Sequence, residues 1–247
     1  MEALKIENLS KQFGGVLAVN NVSLSLEVGE RVVIIGPNGA GKTTLFNLIN
    51  GQTSATSGRI YFFKENISKM PTHHRAHCGQ ARAFQIISLF LNLTVLQNAL
   101  LAINGTKPHR FQMFRHINSY LRVLNRAEST LKELGLYERK NELVKNLAYG
   151  EQRKMEIGLS LASQPKLLLL DEPSAGLSRQ ECTNIISLIK NLGADIAVII
   201  VDHDMDLIFG VAERIIVLHY GQIIAEGTPV EIQSDPNVKE IYLGIRE

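Results

Sequence analysis

Apolar positions follow three rhythms along the chain. Short uninterrupted runs occur at Val32–Ile35, Leu167–Leu170, Ala197–Val201 and Ile215–Leu218. A buried helix segment can look the same, but these runs are brief and end in turn or charged residues. That predicts strands covered on both faces, as in a parallel sheet between helices. Cys182–Leu192 places Ile185, Ile186, Leu188, Ile189 and Leu192 on one helical face. Strand–helix alternation predicts an α/β core. The second rhythm is strict alternation, in Leu4-Lys5-Ile6-Glu7 and in Val22–Val28, which predicts half-buried antiparallel strands.

The third rhythm runs from about Leu89 to Leu147. It has helical spacing, few β-branched residues, and basic and aromatic residues at Arg110, Phe111, Phe114, Arg115 and Arg122. This predicts a mostly helical insertion. Gly221–Pro229 reads as a turn, a short strand and another turn. The expected organisation is one domain over 1–247. Residues 1–88 and 148–247 form the core with its antiparallel β part, and 89–147 form a helical subdomain.

Composition narrows this little. The 247 residues are 45% hydrophobic and 20% charged, as in ordinary globular domains, and a net charge of +2 points to no dedicated nucleic-acid partner. Cys78 and Cys182 form no CxxC unit, which fits a reducing compartment. The first residues carry scattered charges without an apolar core, so no secretory signal is expected. The apolar runs fall far short of the ~20 residues of a membrane span, so any membrane role is expected through a partner.

Chemistry enters at Gly36-Pro37-Asn38-Gly39-Ala40-Gly41-Lys42-Thr43, followed by Thr44. This is G-x-x-x-x-G-K-[ST] directly after a predicted strand and opening a predicted helix, Thr44–Ile49. Glycines let successive N–H groups turn inward on phosphate oxygens, and the helix N-terminus adds partial positive charge. Lys42 is expected on the β- and γ-phosphates and the Thr43 hydroxyl on Mg²⁺. A ligand-free glycine turn is the plain alternative; the strand before and the helix after argue against it.

Leu167–Leu170 ends in Asp171-Glu172-Pro173. Open α/β sheets bind ligands at the carboxyl ends of their strands. Asp171 is expected to hold Mg²⁺ and Glu172 to act as general base on the attacking water.

Leu147-Ala148-Tyr149-Gly150-Glu151-Gln152 resembles the signature sequence of ABC ATPases, about twenty residues before the carboxylate strand. Gln85 resembles their Q-loop glutamine, His203 their switch histidine, Ser174–Ser178 their D-loop, and Phe13 the aromatic residue that stacks on adenine. All occur in the family's order. The resemblance implies a P-loop NTPase (RecA-like) core and ATP with Mg²⁺ as ligands, Mg²⁺ being met by Thr43, Gln85 and Asp171. It also implies head-to-tail pairs. One subunit supplies Lys42, Gln85, Asp171, Glu172 and His203 to an ATP, and the other covers it with Ala148, Tyr149, Gly150 and Glu151.

The chain departs from the family pattern at Ala148, Tyr149, Glu151 and Ser178. Loss of the signature hydroxyl removes a hydrogen bond of about 1 kcal/mol, and weaker closure is expected. The form of the signature, Phe13-Gly14-Gly15, Ala18–Val22 and Tyr242-Leu243-Gly244 resemble the LivG-type ATPases of branched-chain amino acid importers. That resemblance implies a LivF-like or identical second ATPase, permeases, a substrate-binding protein, and a place on the cytoplasmic face of the inner membrane. Lys107–Arg126 fits contact with permease loops or lipid headgroups, and equally a solvated helical face. Importers of urea or other solutes, a soluble cluster-assembly ATPase and a P-loop kinase remain as other readings. The cluster His73, His74, His77 and Cys78 matches no familiar zinc spacing, and no metal site is expected there.

Overall fold

A computed structural model describes residues 1–83, 88–105 and 117–243. Gln85, Lys107, Arg110, Phe111, Phe114, Arg115 and Gly244 lie outside the described residues. The chain opens with two long strands, β1 (Glu2–Phe13) and β2 (Val16–Glu27), then β3 (Arg31–Ile35) and α1 (Lys42–Asn50). Next come β4 (Ser57–Phe62), β5 (Glu65–Asn66), α2 (Thr72–His77) and β6 (Gln80–Ala83). A helical stretch follows, α3 (Val95–Gly105), α4 (Ile117–Glu133) and α5 (Tyr149–Leu161). The chain then alternates: β7 (Leu167–Asp171), α6 (Arg179–Lys190), β8 (Ala197–Val201), α7 (Met205–Val211) and β9 (Arg214–His219). It closes with β10 (Gln222–Gly227), α8 (Pro229–Ser234) and α9 (Pro236–Leu243).

One sheet has the order β10-β9-β3-β8-β7-β6, the other β2-β1-β4-β5. In the six-stranded sheet β9, β3, β8, β7 and β6 pair in parallel, and β10 adds antiparallel to β9. Every residue of β7 and β8 is buried. Their apolar side chains sort by parity. Leu167, Leu169, Ile199 and Val201 join one cluster with β1, β2 and α1, while Leu168, Leu170, Val198 and Ile200 join a second with α6 and α7. An unbroken apolar run is what a period of two becomes when both faces are covered. Full burial of each such side chain is worth about 1.5–3 kcal/mol.

In the antiparallel sheet, Val22, Leu24 and Leu26 are buried while Ser23 and Ser25 face out, the half-buried alternation read from the sequence. β2 begins at Val16, earlier than that alternation indicated. A third cluster joins Val95, Ala99, Val123, Ala127 and Leu131 to Met155 and Leu159 of α5, so the helical core continues past Leu147. On α4, Val123, Ala127 and Leu131 point inward and Arg122 is exposed.

Candidate active site

β3 ends at the floor of the glycine loop, β7 at Asp171 and β8 beside His203. These strands run parallel as neighbours in the order β3-β8-β7, so their carboxyl ends share one edge. The crossover connections bring segments far apart in sequence to this edge.

Gly41 caps α1 in the left-handed region at φ 101°, and a Cβ there would lie 2.3 Å from the Ala18 carbonyl oxygen. A Cβ on Gly36 would lie 2.1 Å from the Leu218 carbonyl oxygen. Both glycines let β2 and β9 press against the loop. Gly221 N–H closes the packing by donating to the Ala40 carbonyl at 2.9 Å.

No side chain caps α1, and the N–H groups of Lys42, Thr43 and Thr44 have no hydrogen-bond partner among the described residues. Those amides form the positive end of the helix dipole. Lys42 Nζ donates to the carbonyls of Gly36 at 2.6 Å and Pro37 at 3.0 Å. Burial pulls its pKa down, and the nearby Glu172 carboxylate opposes this. Free amides, an ammonium and two carboxylates are a donor set that fits a polyphosphate with a divalent cation.

Asp171 and Glu172 lie at the end of β7. Asp171 Oδ2 accepts from Arg82 Nη2 at 2.6 Å, with both side chains nearly closed to solvent at 7% and 5% exposed. Arg82 Nη1 donates to Asn47 Oδ1 at 2.7 Å and Gln52 Oε1 at 2.8 Å, tying the carboxylate to the far part of α1. Glu172 adopts φ 45°, a conformation that costs a non-glycine residue about 1–3 kcal/mol. Its N–H donates to the Val201 carbonyl at 2.7 Å, so strand pairing ends there.

The imidazole of His203 is 68% exposed, with Nδ1 4.0 Å from Asp202 Oδ1. Asp202 is buried and accepts from Ser174 N–H, Ser174 Oγ, His203 N–H and Asp204 N–H. Phe13, at the tip of the β1–β2 hairpin, is 50% exposed, and Lys11 Nζ lies 4.8 Å from its ring centroid.

Ala148 is the N-cap of α5 and offers no side-chain oxygen to the first turn. Glu151 compensates in part. Its carboxylate accepts the Ala148 N–H at 2.9 Å and pairs with Arg139. Tyr149 packs over Gly176, and Gly150 lies against Glu181. Ser178 caps α6: it accepts the Glu181 N–H and donates to Glu181 Oε2 at 2.6 Å. Serine caps as well as aspartate does, so this departure keeps the local geometry.

The sequence reading missed Arg82, Arg153, Glu156 and Asp202. Arg153 Nη2 donates to the carbonyls of Asp171 and Glu172, both at 2.9 Å. Asp171-Glu172 pointed to the carboxyl edge, but nothing local in the sequence signals an arginine whose acceptors are distant main-chain oxygens.

The ABC transporter family profile matches residues 19–175, and one for the branched-chain amino acid ATP-binding cassette transporter matches 222–247. The chain is 40% identical to the high-affinity branched-chain amino acid transport ATP-binding protein LivG of Salmonella typhimurium, covering 98% of this chain and 97% of that one. Among solved structures, the ADP conformation of MJ1267, an ATP-binding cassette of an ABC transporter, superposes with a TM-score of 0.86. It is 32% identical and covers 99% of this chain and 100% of its own. A dimeric post-hydrolysis cassette, MJ0796 bound to ADP and Pi, gives a TM-score of 0.76 at 27% identity, covering 91% of this chain and 98% of its own. With its P-loop NTPase fold and its carboxyl-edge constellation, the chain belongs to the ABC transporter family of ATP-binding subunits.

Proposed function

We propose that this chain is the ATP-hydrolysing subunit of an ABC importer for branched-chain amino acids. The observation that carries the ATPase reading is the meeting of unpartnered α1 amides, Lys42, Asp171, Glu172 and His203 along one strand edge. The substrate reading rests on the nearly full-length likeness to LivG and the match over residues 222–247.

In this reading the amides of Lys42, Thr43 and Thr44 bind the phosphates. Lys42 turns from the Gly36 and Pro37 carbonyls to phosphate oxygens, exchanging neutral acceptors for charged ones. Glu172 orients water and takes up its proton at a carboxylate oxygen, and His203 donates a hydrogen bond to the terminal phosphate. Phe13 stacks on the adenine ring. Thr43, Asp171 and Gln85 would hold Mg²⁺, which would supply positive charge to offset that of the phosphates. Ala148, Tyr149, Gly150 and Glu151 cover the nucleotide of a second ATPase subunit, a copy of this chain or a LivF-like partner. Among the described residues no helix is long and apolar enough to cross a membrane. In the importer reading, supported by the likeness to LivG, permease subunits hold the chain at the cytoplasmic face of the inner membrane, and a substrate-binding protein delivers the cargo.

The test is purification from membranes, then reconstitution of the complex in vesicles with the binding protein. ATP-driven leucine uptake that vanishes in Glu172→Gln supports the proposal. ATPase activity no higher than that variant's overturns the enzymatic reading. Robust ATPase without leucine, isoleucine or valine uptake overturns the cargo. Absence of a co-purifying multi-span permease favours a soluble ATPase.

A further inference from the structure

Arg153 projects from the first turns of α5 and is fully buried. Its fork reaches the backbone at three consecutive residues. Nη2 donates to the Asp171 and Glu172 carbonyls, both at 2.9 Å, and Nε donates to the Pro173 carbonyl at 3.3 Å. On the other side Nη1 donates to Glu156 Oε2 at 2.7 Å. Glu156 Oε1 in turn accepts the Ser88 N–H at 3.0 Å.

The clamped stretch is where β7 leaves the sheet. Glu172 turns left-handed at φ 45°, a conformation a glutamate holds only when its surroundings over-determine it. A planar fork satisfies several carbonyls in fixed directions, which a lysine ammonium on a flexible stem does not. A buried ion pair such as Arg153–Glu156 is by itself weak support for stability, so its main contribution here is geometric.

We propose that Arg153 is a positioning residue for Glu172. By holding the carbonyls of residues 171–173 it fixes the direction in which the Glu172 carboxylate leaves the strand. Through Glu156 and Ser88 it ties that direction to the segment after Gln85, and along α5 to the Ala148–Glu151 turn. This rests on the reading of Glu172 as general base.

The experiment uses the purified complex and four ATPase proteins: wild type, Arg153→Lys, Glu172→Gln and the double variant. Thermal melting and nucleotide affinity are read beside kcat and KM. Arg153→Lys is expected to lower kcat by about tenfold or more while KM for ATP moves less than about threefold, as for a group that acts only on the chemical step. In the Glu172→Gln background the same change is expected to alter the residual rate by less than about twofold, because the clamp acts through that carboxylate. Equal losses in both backgrounds, a raised KM with kcat retained, or an unchanged rate would each overturn the proposal. Glu172→Gln with wild-type turnover would instead remove the general-base reading, and the clamp's role with it. If Arg153→Lys does not fold, Glu156→Gln serves in its place. It keeps the arginine but neutralises its acceptor, with a smaller fall in kcat and the same dependence on background.

Discussion

Each end of α1 has backbone groups without a partner inside the helix, N–H donors at one end and C=O acceptors at the other, and the protein treats them differently. At the C-terminal end the buried Arg75 guanidinium donates to the Leu48 and Ile49 carbonyls at 2.8 and 2.6 Å, and to Met70 at 2.8 Å. Burial lowers its pKa to about 10, still well above neutrality, so a positive charge sits at the negative end of the helix dipole. At the N-terminal end no side chain caps the helix, and the Lys42, Thr43 and Thr44 amides are open. One end is completed by the protein and serves stability; the other has no such cap among the described residues, and in the proposed function it takes the phosphates.

The largest effect that sharpens this contrast is expected from Lys42→Ala. It removes a charged donor from the open end and should lower kcat/KM for ATP by about 10²–10³-fold, with the melting temperature of the nucleotide-free protein nearly unchanged. A comparable drop in melting temperature would erase the contrast. Arg75→Met is the converse. It leaves buried carbonyls without donors and should cost about 2–4 kcal/mol, read as a fall of roughly 2–4 °C per kcal/mol in the melt, while KM for ATP is retained. ATP at a hundredfold over its Kd should then add about 2.7 kcal/mol to wild type and to Arg75→Met alike. Protection that disappears in Arg75→Met would mean the two ends are coupled.

The smallest effect concerns pH. Burial depresses the Lys42 pKa in the free protein, whereas bound phosphate favours the ammonium. ATP affinity is therefore expected to be full below that depressed value and to fall as pH rises through it. Titration from neutral pH upward checks this. In Lys42→Met the same curve should be weak and flat; an unaltered slope would place the titrating group elsewhere.

What was legible in the sequence depended on where each partner comes from. Continuous runs such as Leu167–Leu170 revealed strands because burial on both faces erases alternation. The Gly36–Thr43 spacing revealed the loop because its requirement is local. β6, Gln80-Ala81-Arg82-Ala83, has neither an apolar run nor clear alternation, and it holds its place by pairing with β7. In the segment around His73 the imidazoles of His73, His74 and His77 are exposed, and it is Arg75 that points inward and bonds to α1. Arg75, Arg82 and Arg153 share the same obstacle. Apart from the Arg153–Glu156 pair within α5, their acceptors are main-chain oxygens or side chains of other segments.

Asp202 serves two loops with a single carboxylate, gripping Ser174 through backbone and hydroxyl, and His203 and Asp204 through their amides. Neither loop can be displaced alone without breaking bonds held in common. Whatever tugs on His203 must drag the Ser174 turn along with it, as two carriages on one coupling.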